Sequence, residues 1–342
     1  MTEPASDHQF RHPLGPGPER GRGIAVGEHV RWYRLFSPMA PMGGVNIWAL
    51  RDGDGWAIID TGFADPDTTA QWRVILDDLG APVTRIVCTH FHPDHIGQVG
   101  MLQAKFDAPL FMTATEWHFA RRLAAPPAEG GGSYEALLRR CGLDGALLQS
   151  LAAGRSGGFT TGLPERCAFI AAGETLRIGA LDWKIEIGAG HSPAPAILTS
   201  DTAGLALVGD QLLMRITPHV GIDPDDPDGD PLGTYLDYLS AARTMPSGLL
   251  ALPGHGPAFR EPGLRAMEIA EHHRRSLAAI LPALRTPRLV SEMLVPLFGR
   301  VPAGMGIVLA VTEALAHLNR LVVEGAATRS IGDDGRYRFA AI

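Results

Sequence analysis

The sequence predicts an α/β fold with a small helical unit appended towards its C-terminal end. Three observations carry this expectation. Short apolar runs of strand character alternate with stretches of helical periodicity from residue 30 to about residue 257. Residues able to bind metal or move protons stand repeatedly where those apolar runs stop, beside or near glycine. Beyond Pro257 the alternation ceases, and three helical stretches are followed by a hairpin.

Residues 1–23 are rich in Pro, Gly, His, Arg and acids and hold no apolar run of signal-peptide length, so they read as a tail or a surface strap. Residues 30–36, 45–50 and 56–60 read as strands, the last two joined by the turn Asp52-Gly53-Asp54-Gly55. Residues 67–79 have helical periodicity, with Ile75 and Leu79 among the apolar positions. The strand Arg85-Ile86-Val87-Cys88 precedes a helix expected over 94–106 and a short strand at 109–112. Thr113 or Thr115 is placed to cap the helix that carries Trp117 and Phe119. Residues 124–162 change character: Pro126-Pro127 and Gly130-Gly131-Gly132 lead into a helical stretch at 134–151, which gives way to glycines at 154–162. Such an insertion is expected to be a lid over a site.

Strands return over 168–213. The acidic loop 222–230 looks like a calcium loop only superficially, because Pro224 and Pro227 break the required alternation; a proline-stiffened, solvated connection is expected. A helix over 235–242 leads to the strand that ends at His255. Helices over 263–284, 288–298 and 306–323 and a hairpin over 327–339, turning at Asp334-Gly335, complete the chain. The expected organisation is a tail at 1–23, a catalytic unit at 24–260 and a C-terminal unit at 261–342.

The run Thr89-His90-Phe91-His92-Pro93-Asp94-His95 concentrates three imidazoles and a carboxylate directly after a strand. These side chains bind borderline divalent metals such as zinc. His90 and His92 alternate along extended backbone and can face one side, while Asp94 and His95 can face the same point from the start of a helix. One metal rarely takes four ligands from so short a stretch, so two neighbouring ions are expected. His191, Asp210 and His255 each follow an apolar run and supply ligand types from distant segments. Cys88, within the strand, reads as a small buried side chain.

These residues resemble the metallo-β-lactamase fold of binuclear metallohydrolases. The signature HxHxDH is present as His90, His92, Asp94 and His95, followed by His191, Asp210 and His255 in order, and Ile58-Ile59-Asp60-Thr61-Gly62 resembles the family's early strand and aspartate turn. The resemblance, over about residues 30–257, implies a four-layer αββα sandwich. It implies that His90, His92 and His191 hold one ion, that Asp94, His95 and His255 hold the other, and that Asp210 bridges them. Asp60 would accept a hydrogen bond from a ligand imidazole, or else act as a turn aspartate bonded to backbone amides. The C-terminal helices and hairpin resemble a winged-helix domain such as some members carry.

The implied cofactors are two divalent ions, zinc first, with iron or manganese as alternatives. The implied chemistry is attack by a metal-bridging hydroxide on an ester, thioester or lactone carbonyl, with Asp94 orienting the hydroxide and Asp210 fixing the separation of the ions. A phosphodiesterase or ribonuclease of the same fold is the alternative, and a mononuclear iron dioxygenase-type member a third reading. Asp210 disfavours a true β-lactamase, since those enzymes lack an aspartate there. Ser192-Pro193-Ala194-Pro195 departs from the Thr-x-Gly pattern of dedicated glutathione thioesterases. Met214, Phe159, Trp117 and Tyr235 lie near the expected site loops as acyl-pocket candidates, and His219 as a substrate contact or a support for a ligand.

Composition limits the partners. A net charge of -7 argues against nucleic acid as the main partner. With only two lysines, Lys105 and Lys184, arginine would have to recognise any anionic group. Arg329, Arg336 and Arg338 share the hairpin, but Arg320 is the one arginine of the preceding helix, too little for a phosphate-binding face. Three cysteines without paired spacing argue against a disulfide framework, and no run approaches the ~20 apolar residues of a membrane span. The expectation is a cytoplasmic enzyme acting on a small molecule without nucleic acid or membrane, with a homodimer allowed.

Overall fold

A computed structural model describes residues 12–40, 43–125, 133–143, 145, 148 and 159–342. Burial along the strands explains how the chain layers. In β9 (Leu181–Ile187) Leu181, Trp183 and Ile185 are buried while the charged residues between them are exposed, so this strand has one wet face. In β3 (Gly44–Asp52) and β4 (Gly55–Ile59) nearly every side chain is buried, which requires cover on both faces.

The first sheet runs in chain order: β1 (Ile24–Val26), β2 (Val30–Phe36), β3, β4, β5 (Val83–Val87), β6 (Leu110–Met112) and β7 (Ala168–Phe169). Pairing is antiparallel from β1 to β4 and parallel from β4 to β7. The second sheet is ordered β12 (Leu250–Pro253), β11 (Leu205–Gly209), β10 (Ala196–Ser200), β9 and β8 (Thr175–Ile178), with β11 and β12 parallel and the rest antiparallel. The sheets pack face to face. Trp32, Trp48, Ile59 and Val87 of the first share one apolar cluster with Trp183, Leu198, Leu207 and Leu252 of the second. Trp32 and Trp48 stack with centroids 5.3 Å apart.

Helices α1 (Pro66–Leu79), α2 (Pro93–Ile96), α3 (Val99–Phe106) and α4 (Ala114–Ala124) lie on the first sheet's side. Trp72, Ile75, Leu102 and Ala120 pack there against Tyr33, Ile47 and Ile86. The helix expected over 94–106 is two helices, α2 and α3. The chain at Gly97 passes so close to the 62–64 loop that a Cβ would sit 2.4 Å from the Gly62 carbonyl oxygen, and the Gln98 side chain donates Nε2 to Phe63 O at 2.7 Å. Thr113 caps α4, accepting from the Glu116 amide.

The second sheet's outer face carries α5 (Ser133–Arg140), α6 (Pro231–Ala242), α7 (Pro262–Ile280), α8 (Leu294–Phe298) and α9 (Met305–Val323). The C-terminal strands β13 (Arg288–Leu289), β14 (Ala327–Ile331) and β15 (Tyr337–Ala341) form a small sheet ordered β13-β15-β14. The second C-terminal helix expected over 288–298 is thus a strand, a 3-10 turn (Val290–Met293) and the short α8. Arg288 and Leu289 are drawn out of helical conformation by pairing with Phe339 and Arg338. Residues 126–132, 144, 146–147 and 149–158, and with them most of the lid expected over 124–162, lie outside the described residues. Of that segment, Leu137, Leu138 and Cys141 pack into the core of the second sheet's outer layer. On the opposite side residues 12–23 lie against the body, with Arg20 paired to Asp67 at 2.9 Å and Arg34 donating to Pro16 O.

Ile197, Ala206 and Val208 of the second sheet share one continuous cluster with Leu239, Leu277, Leu315 and Phe339, so the C-terminal helices and the sheet are packed through a common core. Leu315→Ala empties a fully buried position in that core. It is expected to cost about 2–5 kcal/mol while urea unfolding of the metal-free protein remains a single transition. Two separated transitions by circular dichroism would show that the C-terminal unit is held independently.

Candidate metal centre

Parallel pairing brings strand ends to one edge, and the candidate residues follow those ends. Asp60 follows β4, Thr89 and His90 lie two and three residues past β5, Asp210 follows β11, and His255 lies just past β12. Backbone hydrogen bonds tie the two sheets together there, Ala196 N donating to Thr89 O at 2.8 Å and Asn46 N to Gly254 O at 2.7 Å, while Gly254 N donates to Gly209 O at 2.8 Å within the second sheet. Asn46 adds two more, its amide donating to Pro253 O and Gly256 O.

Four of the five imidazoles are oriented by their outward nitrogen. Nδ1 of His95 faces Asp60 Oδ2 at 2.8 Å, Nδ1 of His191 faces His219 O at 2.7 Å, and Nδ1 of His255 faces Gly44 O at 2.8 Å. The Thr89 hydroxyl donates to Asp60 and leaves its oxygen to accept from Nδ1 of His90 at 3.0 Å. Acceptors on Nδ1 hold a proton there and turn Nε2 of all four rings inward, where it can meet a metal. His92 instead presents Nδ1, 3.0 Å from His90 Nε2, and His191 Nε2 lies 3.2 Å from the same atom. Asp60 thus accepts from both an imidazole and the backbone, the Thr89 amide donating to it at 2.8 Å.

The seven residues form overlapping ligand groups: His90, His92 and His191; Asp94, His95 and His255; and His90, His95 and Asp210, with the ligand atoms of each group within 4.8 Å of one another. Asp210 Oδ2 stands between them, 3.6 Å from His191 Nε2, 3.6 Å from His95 Nε2 and 3.3 Å from His255 Nε2. Asp94 Oδ2 lies 3.2 Å from His255 Nε2. These residues fit divalent metal. His95 Nε2, His255 Nε2 and Asp210 Oδ1 are buried with no hydrogen-bond partner among the described residues, a cost of about 1–3 kcal/mol for each group unless something else engages them. Metal–nitrogen bonds of about 2.0–2.1 Å in tetrahedral array set ligand nitrogens roughly 3.3 Å apart, close to the spacings among His90, His92 and His191.

Charge separates the two groups. Burial, reinforced by neighbouring rings, holds His90 and His92 well below the ordinary imidazole range, and burial lowers His191 too, so these rings stay neutral. Burial also opposes a charge on His255 and His95, but the carboxylates around them outweigh it. Asp210 and Asp94 push His255 up to about 10, and Asp60, Asp94 and Asp210 raise His95 well above its usual value. Asp94 falls to about 2, because His95 and His255 overcome the effect of burial, and Asp210 is held well below the carboxylate range in the same way. Without metal, protons occupy the place that a cation would take.

The other candidates are placed differently. Met214 and Tyr235 are fully buried in the core beneath the second sheet's helices, the Tyr235 hydroxyl donating to Gln211 O at 2.8 Å, and Trp117 is buried beneath the first sheet's helices. All three have the surroundings of core side chains. Phe159 is half-buried beside the residues outside the description. His219 supports His191 through its main-chain carbonyl, while its ring turns away to Leu309 O and Thr312.

Sequence reasoning passed over Glu116. Fully buried, it accepts from Phe91 N at 2.9 Å, from Ala194 N at 2.7 Å and from the Ser192 hydroxyl, so it ties the His90–His92 segment to the one that follows His191. Burial pushes its carboxyl up despite these three donors. The one available signal was an acidic residue three positions after the Thr113 cap, a placement that ordinarily indicates only a capping box.

The family described as "Metallo-beta-lactamase superfamily" matches residues 40–255, and "Metallo-beta-lactamase-like, C-terminal domain" matches residues 277–342. The crystal structure of a beta-lactamase domain protein from Burkholderia ambifaria superposes with a TM-score of 0.90 at 31% identity, covering 98% of this chain and 99% of that one. A probable metallo-hydrolase of Bacillus subtilis is 27% identical over 67% of this chain and 91% of its own length. A hydroxyacylglutathione hydrolase of Stenotrophomonas maltophilia is 46% identical over 60 residues, 18% of this chain and 22% of that protein.

Two outcomes follow from the geometry. A Cβ at Gly254 would lie 2.2 Å from Asp210 Oδ1 and 2.8 Å from His95 Cε1. Gly254→Ala is therefore expected to weaken metal uptake by more than about 100-fold, since even groups behind the ligands account for 10–100-fold; inductively coupled plasma mass spectrometry after dialysis reads the loss, and wild-type metal content would contradict it. The second outcome concerns pH. His255 rises from 6.5 to about 10, so its ion pairing stabilises the metal-free fold fully below about pH 6.5, and that contribution is lost as pH climbs to about 10. The urea midpoint of the metal-free protein should fall across this window, and loading metal at pH 7 should release protons into a weakly buffered indicator solution. Metal uptake without proton release would refute the charge assignment.

Proposed function

The chain belongs to the metallo-β-lactamase superfamily, and from that premise we propose that it hydrolyses an ester, thioester or lactone carbonyl with two divalent ions, zinc the first choice and iron or manganese the alternatives. The observation that carries this reading is the position of Asp210 Oδ2, within 3.6 Å of ring nitrogens from both ligand groups. In the proposed arrangement His90, His92 and His191 hold one ion, Asp94, His95 and His255 hold the other, and Asp210 lies between. When bound, such a pair supplies an acidified water as nucleophile and a Lewis acid for the oxygen that becomes negative. The chain supplies the rest. Asp60, Thr89, Gly44 and His219 fix four of the five rings, so those ligands need not reorganise during turnover. Asp94, ionised at neutral pH, is placed to orient the nucleophile as well as to bind.

Carbonyl substrates are favoured over nucleic acid by the state of the arginines. Arg320 is paired with Asp230 and Glu324, Arg329 with Asp228, and Arg336 and Arg338 with Asp334. The hairpin and last helix of the unit at 261–342, which we read as winged-helix-like, therefore offer phosphate little unpaired charge. Phe91 and Phe119, with ring centroids 5.3 Å apart beside His92, supply an aromatic wall near the ligands. The short likeness to a hydroxyacylglutathione hydrolase is consistent with acyl transfer to water, although the segment after His191 argues for a different acyl carrier. Free cysteines Cys88, Cys141 and Cys167 suit the cytoplasm.

The metal-loaded protein should be tested on chromogenic esters, thioesters and lactones beside a phosphodiester. Hydrolysis of an acyl substrate is expected, and His92→Ala and Asp210→Ala should each lower it by more than about 100-fold while the circular dichroism spectrum is kept. Turnover of the phosphodiester alone would overturn the carbonyl assignment, and full activity in a metal-depleted His92→Ala protein would overturn the mechanism.

A further inference from the structure

Residues 211–222 leave the site at Asp210 and run along the C-terminal helices before the acidic loop that leads to α6. Three of their main-chain groups are held by those helices. Arg265 of α7, 6% exposed, donates Nε to Leu213 O at 2.7 Å and Nη2 to Ile216 O at 2.9 Å. The Ile222 amide donates to Thr312 O of α9 at 3.2 Å. His219 is tied at both ends: its ring Nε2 donates to Leu309 O at 3.0 Å and lies 3.3 Å from Thr312 Oγ1, while its carbonyl accepts from His191 Nδ1 at 2.7 Å. The ring lies flat against its own loop because residue 221 is glycine; a Cβ there would come within 2.4 Å of His219 Cε1. A carbonyl that fixes a ring must itself be fixed, and here the support reaches the C-terminal helices in one residue.

We propose that α7 and α9 set the direction and tautomer of His191, with His219 as the positioning residue that connects α9 to the metal centre. This rests on the reading that His90, His92 and His191 hold one of two ions. A free peptide carbonyl in a loop would sample several directions and let the His191 ring turn with it. Anchoring the adjacent side chain to a helix removes that freedom, and Arg265 removes it again at the start of the loop. The C-terminal helices thus act on one ligand group and leave the other untouched, since His95 is oriented by Asp60 and His255 by Gly44.

His219→Phe tests this directly, because the carbonyl stays in the chain and only its anchor is lost. Zinc is titrated into metal-free protein against a chromophoric chelator, and cadmium-113 NMR is recorded on the cadmium-loaded protein. The expected result is a 10–100-fold weakening of one of the two equivalents, a shift of one cadmium resonance, and an unchanged second equivalent and second resonance. Thr312→Ala, a smaller change that keeps the histidine, should shift the same resonance while melting as the wild type does, and it decides the matter alone if His219→Phe does not fold. Two unchanged resonances, or equal weakening of both equivalents, would overturn the anchor. A wild-type protein that takes up no metal would overturn the two-ion reading itself, and the anchor with it.

Discussion

The carboxylate of Asp60 accepts three groups beneath the site: the Thr89 amide, the Thr89 hydroxyl and the ring of His95. Much of the centre descends from that one side chain. The Thr89 hydroxyl, its proton committed to Asp60, accepts from His90, so two rings from different ligand groups take their tautomers from a single anion. Asp60 reaches this position with φ 62, a left-handed conformation that aspartate tolerates better than most residues and that still costs of order 1 kcal/mol or more. Its amide remains in the ladder, donating to Val87 O. The strand thus ends on a turn that aims the carboxylate back at the neighbouring strand's continuation, and the bonds that it gathers hold the turn.

The sandwich explains why such a centre can exist at all. Five imidazoles and two carboxylates crowded at the closed edge of two sheets repel one another or trap protons, and they stay together because their backbones are not free. The parallel pairs β4–β5 and β11–β12 deliver Asp60, His90, Asp210 and His255 to one edge, the position where open α/β sheets generally bind ligands. Asn46 then joins the two sheets across that edge, its main-chain amide donating to Gly254 O and its side chain to Pro253 O and Gly256 O. The tryptophans packed behind, Trp32, Trp48 and Trp183, make the platform stiff, and Trp48 contributes directly by donating to Pro253 O two residues before His255.

What was legible in the sequence was the part carried by residue type. The apolar runs marked nearly every strand, and the seven ligand candidates stood out because His and Asp at the ends of such runs have few structural reasons to be there. Illegible were the groups whose function has no residue type. Gly44 and His219 act through carbonyls, which every residue possesses, and Glu116 resembles an ordinary first-turn acid. Met214, Trp117 and Tyr235 failed in the opposite sense: an apolar residue beside a site loop looks the same in sequence whether it lines a pocket or fills a core, and here it fills the core. The break at Gly97 and the strand at Arg288–Leu289 were hidden because each is imposed by a distant segment, the 62–64 loop in one case and β15 in the other.

The acidic loop 222–230 shows how the same physics binds the C-terminal unit to the catalytic one. Its carboxylates resemble a cation site in sequence, yet in the fold four of the five are paired with arginines: Asp223 and Asp225 with Arg122 of α4, Asp228 with Arg329 of β14, and Asp230 with Arg320 of α9. Asn319 of α9 adds two hydrogen bonds to the loop's carbonyls at Pro227 and Gly229. Asp230 also caps α6, so a single residue starts the helix that covers the second sheet and grips the helix beyond it. Exposed pairs of this kind contribute little individually, but the loop is held from both sides, by α4 on the first sheet's layer and by α9 and β14 on the second's. Arg122, Arg320 and Arg329 are thereby engaged by carboxylates of one loop, and the chain's excess of acid is used internally to fasten the C-terminal unit to the rest of the fold.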